Sequence, residues 1–283
     1  MMSYFCLDDS PRFRMIELDG TDSTNTFLAN YRPPQLPEIT LATAEYQSAG
    51  RGQRGNTWES KRGQNLLFSL LISPTLLPAN HVFVLSEAIA LSIRETIEEK
   101  ISPITQHPSS ITVKWPNDIY VDEQKIAGIL IENELAGQHI GRCIIGCGIN
   151  VNQREWTMNN GQWTTDNGQW VNHPVSLYQL LGHEIERRFV LEHVMDSFTR
   201  RYKQIQQGRY TDIHADYLAH LYRRTGIYDY RDMTIERPTG TPFRAELADV
   251  EPDGHLVLRD TDGHLRRFSF KEVAFCRSQK GQG

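Results

Sequence analysis

The chain has 283 residues, with 30 basic and 35 acidic side chains, a formal net charge of −5 and 39% hydrophobic residues. At roughly 150 residues per domain, that allows one large domain or two unequal ones, with enough apolar content for a buried core and too little net charge for a disordered chain. The mildly acidic balance disfavours a general nucleic-acid binder, and no apolar run approaches the roughly 18 residues of a membrane span.

In chain order, residues 1–12 read as a tail, with Asp8 and Asp9 interrupting any signal-peptide pattern. Residues 13–18 form a first strand, and Asp22 or Ser23 then caps a helix carrying Phe27, Leu28 and Tyr31. After a proline-rich loop come a β-branched strand over 40–46, a glycine-rich loop over 50–55 and a strand over 65–72. That last strand is apolar on both faces and so is expected to be covered on both sides. Residues 82–99 have helical spacing, with Val82, Leu85, Ala88, Ile89, Ile93 and Ile97 on one side. Strands follow over 112–115, 119–121, 126–134 and 142–151, and their short turns predict antiparallel pairing. Helices are expected over 176–207 and 212–223. Past Gly226 the texture changes to short strands and Gly-containing turns, the pattern of a small β-barrel with Phe268, Phe270, Val273 and Phe275 as core. This puts a boundary near residue 224, giving a catalytic domain over 1–223 and a small domain over 224–283.

The four cysteines, at 6, 143, 147 and 276, form no CxxC pair and read as reduced, buried thiols of a cytoplasmic protein. The segment 153–173 is polar, carries Trp156, Trp163 and Trp170, and reads as a surface insertion for at least two of the three indoles.

Four clusters carry chemistry. Gly50-Arg51-Gly52-Gln53-Arg54-Gly55 matches GxGxxG, but Asn56-Thr57-Trp58 and a strand follow where a dinucleotide site needs a helix, so a Rossmann site is rejected. Three glycines and two arginines instead suit a loop whose backbone approaches an anion. In Lys114-Trp115-Pro116-Asn117-Asp118 the proline forces a turn that places Asn117 and Asp118 on a loop, which an ordinary Asx turn would also explain. Lys125 opens an apolar strand beside Gly128. Gly146 and Gly148 cost a buried strand stability unless something must approach its backbone, and Asn150 and Asn152 point to one side. Several cations and amides without a Ser/His/Asp set suit the joining of two anions, a carboxylate and a nucleotide phosphate. A carboxylate is already ionised at neutral pH, so no general base is needed.

These clusters, with Asp22-Ser23-Thr24-Asn25, Glu45-Tyr46-Gln47 and the run from Lys125 to Glu132, resemble the biotin protein ligases in order and spacing from about 13 to 152. The C-terminal part resembles that family's SH3-like barrel. The resemblance implies an α+β fold: a mixed β-sheet catalytic domain with helices packed on one face, plus the barrel. It implies that biotin and ATP with Mg²⁺, as co-substrates, give biotinyl-5′-AMP, and that a lysine of a biotin carboxyl carrier domain then takes the biotin. Carried over by position, Ser23, Thr24, Asn25, Gln47, Gly50, Arg51, Gly52, Gln53, Lys125 and Gly128 would bind biotin. Arg51, Arg54, Trp58, Lys114, Asn117, Asp118 and Asn150 would bind the nucleotide, Asp118 would face Mg²⁺, and Lys125, Arg51 and Lys114 would be catalytic. The family commonly shows GRGRxG; here Gln53 stands at the second arginine, where the adenylate is thought to be retained. The short segment before the first strand leaves no room for a helix-turn-helix domain, so no DNA binding is expected, and neither is a membrane. Relatives that dimerise through the sheet make a homodimer admissible. Two alternatives stay open: a lipoate or octanoate protein ligase of the same superfold, and a non-catalytic biotin sensor.

Overall fold

The computed structural model describes residues 2–3, 13–34, 37–53, 56–74, 77–101, 110–137, 139–156, 174–234 and 240–276. Strands β1 (Met2–Ser3), β2 (Phe13–Leu18), β3 (Ile39–Ala44), β4 (Leu66–Ile72), β5 (Ile111–Lys114), β6 (Asp118–Val121), β7 (Gln124–Ala136) and β8 (His139–Ile149) form a mixed sheet in the order β1-β2-β3-β4-β8-β7-β6-β5. β2 and β3 run parallel, and β5 to β8 are antiparallel as their short turns predict. The segment read as a tail departs from that reading at β1, where Met2 lies opposite Ile16 and Ser3 opposite Met15.

β4 is buried throughout because its alternate residues meet different neighbours on the two faces of the sheet. Leu66, Phe68, Leu70 and Ile72 join the main core with Leu85, Ile89, Ile93 and Ile97 of helix α2 (Phe83–Ile101). Helices α4 (Arg187–Gln206) and α5 (Tyr210–Ala219) complete that layer, α4 through Val190, Val194 and Phe198 and α5 through Ile213 and Tyr217. On the opposite face Leu71 meets Leu28 of the short helix α1 (Thr24–Asn30), together with Ile16, Ala42 and Ile144. One face is therefore fully roofed by helices. The other carries α1 alone over its described part, and the polar residues discussed below lie there.

The helix expected over 176–207 is broken. Ser176 and Gln179 form a capping box at the start of α3 (Leu177–Leu181), and Gly182, at φ 77°, ends it in the left-handed conformation. The expected 212–223 helix stops at Ala219. Beyond it Val113 donates to the His220 carbonyl at 2.9 Å and accepts from Tyr222 N at 2.9 Å. This covers the β5 edge, which would otherwise present open hydrogen-bonding groups.

The C-terminal strands β9 (Tyr228–Asp232), β10 (Thr241–Val250), β11 (Leu256–Asp260), β12 (Leu265–Phe268) and β13 (Val273–Phe275) form an antiparallel sheet in the order β12-β11-β10-β9-β13. Among the described residues no ladder joins β12 to β13, so the expected barrel is observed as a five-stranded sheet. Phe268 and Val273 are buried in its core as expected. Phe270 instead reaches the larger sheet, its ring centroid 5.4 Å from that of Trp115. Trp115 Nε1 also donates to the Gly254 carbonyl at 2.9 Å, and one apolar core runs through both sheets.

Candidate active site

The Gly50 loop starts the site. Trp58 N donates to the Gly50 carbonyl at 2.9 Å, and a Cβ at position 50 would lie 2.3 Å from the Trp58 carbonyl oxygen, so only glycine fits. Thr57 bridges back to Arg51 and the chain runs on into β4, not into a helix, which agrees with the rejection of a dinucleotide site. Arg54 and Gly55 lie outside the described residues, as do Trp163 and Trp170.

Two rows of cross-strand partners form the floor. Asp118, Gly128, Gly148 and Leu67 stand opposite one another on β6, β7, β8 and β4, and Leu130, Gly146 and Ser69 make the next row. Cross-strand partners share a face, so the three glycines leave a trough beside α1. Side chains of this protein fill it: a Cβ at Gly146 would lie 2.0 Å from Asn25 Oδ1, and one at Gly148 would lie 2.4 Å from the Trp58 ring. That is the close approach which two glycines in a buried strand called for.

At the α1 end lies a neutral network. Gln47 Oε1 accepts from Thr24 N at 2.7 Å and from Thr24 Oγ1 at 3.0 Å. Ser69 Oγ lies 2.7 Å from Thr24 Oγ1 and 2.6 Å from Asn25 Oδ1. Asn25 Nδ2 donates to Glu132 Oε2 at 2.8 Å, and Arg51 Nη2 donates to Glu132 Oε1 at 2.7 Å. Ser23 is buried at the N-cap of α1, but its side chain makes no capping bond there. Such an array of fixed donors and acceptors suits a neutral polar head group.

The other end is charged. Lys125 Nζ lies 2.6 Å from Asp118 Oδ1 and 5.7 Å from the centre of the Trp58 ring. The Trp58 Nε1 is buried without a hydrogen-bond partner among the described residues. Lys114 Nζ donates to Tyr120 Oη at 3.3 Å. Burial pushes Lys114 down to about 8, with Lys125 and Arg223 adding to the fall and Asp118 and Glu123 opposing it. The Asn117 side chain donates to the Ile129 carbonyl and so ties the turn to β7. A site with two ammonium groups, one of them paired to a carboxylate, can receive a polyanion by exchanging that ion pair for ligand contacts.

Other expected residues do structural work. Asn150 is buried, and its Nδ2 donates to the Val175 carbonyl at 3.0 Å and the Lys125 carbonyl at 3.4 Å. It braces the backbone that carries Lys125, while its Oδ1 has no partner among the described residues. Asn152 is spent on Ile185, donating to its carbonyl at 2.9 Å and accepting from its N–H at 3.0 Å. Of the two asparagines, Asn152 has both its side-chain nitrogen and oxygen bonded to the Ile185 backbone, while Asn150 bonds backbone through its nitrogen alone. Two further acid–histidine groups, Glu251-Asp253-His255 and Asp260-Asp262-His264, lie in turns of the C-terminal sheet, with carboxylates paired to Arg267 and Arg266.

Comparison with known proteins bears on this geometry. The biotin/lipoate A/B protein ligase family model matches residues 18–150, the span that contains the trough, the loop and both lysines. The bifunctional ligase/repressor BirA of Bacillus subtilis is 29% identical over 252 residues, 89% of this chain and 70% of the relative. A biotin–[acetyl-CoA-carboxylase] ligase of Paracoccus denitrificans is 27% identical over 249 residues, 87% of this chain and 94% of the relative. In fold, the chain superposes on the biotin protein ligase of Aquifex aeolicus, solved with biotin and ATP, at TM-score 0.71 and 24% identity over 93% of this chain and 99% of that one. In sequence over residues 18–150, and in fold over most of its length, the chain is similar to the biotin protein ligases.

Two members of the ligase's network escaped the reading of the sequence. Ser69 is the single hydroxyl in an otherwise apolar strand, Leu-Leu-Phe-Ser-Leu-Leu-Ile, and a lone polar residue on a buried face requires a buried partner. Glu132 falls at the end of a recognised motif, yet nothing local announces its bonds to Asn25 and Arg51, which cross 107 and 81 positions.

Proposed function

We propose that this ligase condenses biotin with ATP to biotinyl-5′-AMP and pyrophosphate, and then passes the biotinyl group to a specific lysine of a biotin carboxyl carrier domain. What carries the reading is a neutral hydrogen-bonded cluster and a paired-lysine cluster on one face of one sheet, joined by the glycine-floored trough. The neutral cluster suits the uncharged urea ring of biotin, and the lysines suit its carboxylate and the phosphates.

In the first step a biotin carboxylate oxygen attacks the α-phosphorus, and the bond to the β-phosphate oxygen breaks. Two anions held 4 Å apart at an effective dielectric of about 20 repel by about 4 kcal/mol. Lys125 is placed to offset this by exchanging Asp118 for the substrate oxygens, and Lys114 by meeting the phosphates. Mg²⁺ enters with ATP as part of the substrate. Asp118, whose carboxylate lies 2.6 Å from Lys125 Nζ, would offer that ion a hard oxygen ligand. In the second step the carrier amine attacks the acyl carbon, AMP leaves with the electron pair of the broken C–O bond, and the ammonium proton is released. The Trp58 ring lies against Gly128 and Gly148 and Arg51 pairs with Glu132, so both are placed to shield the anhydride from water. The buried free thiols Cys143 and Cys147 fit a reducing cytoplasm.

The test is incorporation of labelled biotin into a carrier domain with ATP and Mg²⁺, wild type beside Lys125→Ala, with octanoate and lipoate as competing acids. Transfer of biotin by the wild type and a fall of at least about a hundredfold in the variant is expected. Preference for lipoate would replace the substrate, and biotin binding without transfer would leave a sensor.

A further inference from the structure

The two lysines of the charged end are held in different ways. Lys125 has a carboxylate partner, Asp118. Lys114, likewise half-buried, forms no ion pair among the described residues. Its Nζ instead faces three rings, 4.7 Å from the centre of Tyr120, 5.4 Å from Phe275 and 5.8 Å from Tyr222. Of the two acids whose charges act on it, Asp118 is paired to Lys125, and Glu123 accepts from Tyr222 Oη at 2.6 Å. The rings brace one another: Tyr120 stacks on Tyr222 at 5.7 Å, and Tyr222 meets Phe275 at 6.2 Å. They come from three places, β6, the segment after α5, and the last strand of the C-terminal sheet. Beyond them Arg223 anchors the corner, its Nη2 donating to the Cys276 carbonyl at 2.6 Å.

A buried ammonium needs compensation, and there are two ways to give it. A carboxylate gives more, but an incoming phosphate must then displace it. Aromatic faces give less, and beyond the one hydrogen bond to Tyr120 Oη that Lys114 makes among the described residues, they leave the other N–H donors of the ammonium to a ligand. We propose that Tyr222 and Phe275 are positioning residues for nucleotide binding, which with Tyr120 hold Lys114 without a counter-ion so that its charge is available when the triphosphate arrives. This rests on the reading of the charged end as the ATP end. Phe275 belongs to the C-terminal sheet and reaches the nucleotide only through Lys114.

The test uses the full chain and ATP as the probe, measuring KM for ATP and kcat from pyrophosphate release, with biotin affinity followed separately. Phe275→Leu keeps an apolar side chain of similar bulk and removes the ring. It is expected to raise KM for ATP about fivefold to tenfold with kcat and biotin affinity little changed. Phe275→Tyr is expected to restore the wild-type value, and Tyr222→Leu to act like Phe275→Leu. In a Lys114→Ala background Phe275→Leu is expected to add nothing, since its effect runs through that ammonium. A Phe275→Leu enzyme with unchanged KM, or one whose loss persists without Lys114, would show that the ring only packs the seam. If Lys114→Ala itself leaves ATP binding intact, the assignment of this end to ATP fails first, and the inference falls with it. Thermal midpoints of all variants separate these outcomes from misfolding.

Discussion

At one end of the trough the neutral side chains of Thr24, Asn25, Ser69 and Gln47 bond to one another, and Asn25 ties them to the Glu132–Arg51 pair. At the other, Lys125 is paired to Asp118 and Lys114 leans on rings. The neutral end is preorganised: each group already has a partner, so removing one strands another at about 1–3 kcal/mol. The charged end is poised for exchange, because its internal pairs are ones that phosphates can replace. Recognition of an uncharged ring asks for fixed geometry, whereas recognition of a polyanion asks for charge that can be released.

That contrast can be broken most severely at its floor. Gly146→Ala would put a Cβ where Asn25 Oδ1 now sits, and neither the sheet nor α1 can yield easily. We expect a loss of about 1–3 kcal/mol in stability and at least a tenfold loss of biotin affinity, measured by denaturant melts and calorimetric titration. Unchanged biotin affinity would mean that Asn25 is not part of the biotin site. Ser69→Ala is the milder probe. It removes the hydroxyl that Thr24 and Asn25 share, and is expected to weaken biotin about fivefold to tenfold while KM for ATP stays put. If both constants move together, the two ends are not independent. Gln53→Arg adds a charge at the loop and is expected to slow release of the adenylate without changing biotin affinity, as read from adenylate retained after gel filtration. An unchanged release rate would count against a retention role.

The smallest effect is expected at the seam between the sheets. His214 on α5 lies 2.7 Å from Glu87 of α2 through Nδ1 and 3.4 Å from Asp249 of β10 through Nε2. The hydrogen bond to Glu87 raises its pKa above the ordinary 6.5, with the charges of Glu87 and Asp249 adding and burial opposing. Glu87 is itself raised, by burial first. A raised histidine contributes stability that is complete below 6.5 and is lost as pH climbs through its folded value. The thermal midpoint should therefore fall as pH rises from about 6.5 towards 8, and His214→Gln should flatten that slope. A slope that survives the substitution would assign it elsewhere.

Much of this was legible in the residues. The strands of the large sheet follow from alternation and turn chemistry, and α2 from buried positions spaced along one side. The glycines announced a close approach, and the lysines announced anions. What was not legible depends on distance along the chain. The partners of Asn25 and Ser69 lie far away in sequence, so the network emerges only when β4, β7 and α1 meet. Asn150 and Asn152 show a related limit: spacing places two side chains on one side, but cannot tell whether that side is a cleft or backbone to be braced. The break at Gly182 was hidden because the apolar period continues on both sides of it.

Phe275 lies in the last strand of the fold, and the ammonium it faces belongs to the middle of the chain. A ribosome delivers the chain from its N-terminus, and domains take shape as they emerge. The neutral end, built from residues up to Gly146, can therefore assemble while translation continues. The Lys114 corner must wait for nearly the final residues, so a truncated or unfinished polypeptide could hold the vitamin yet lack the complete setting for activating it.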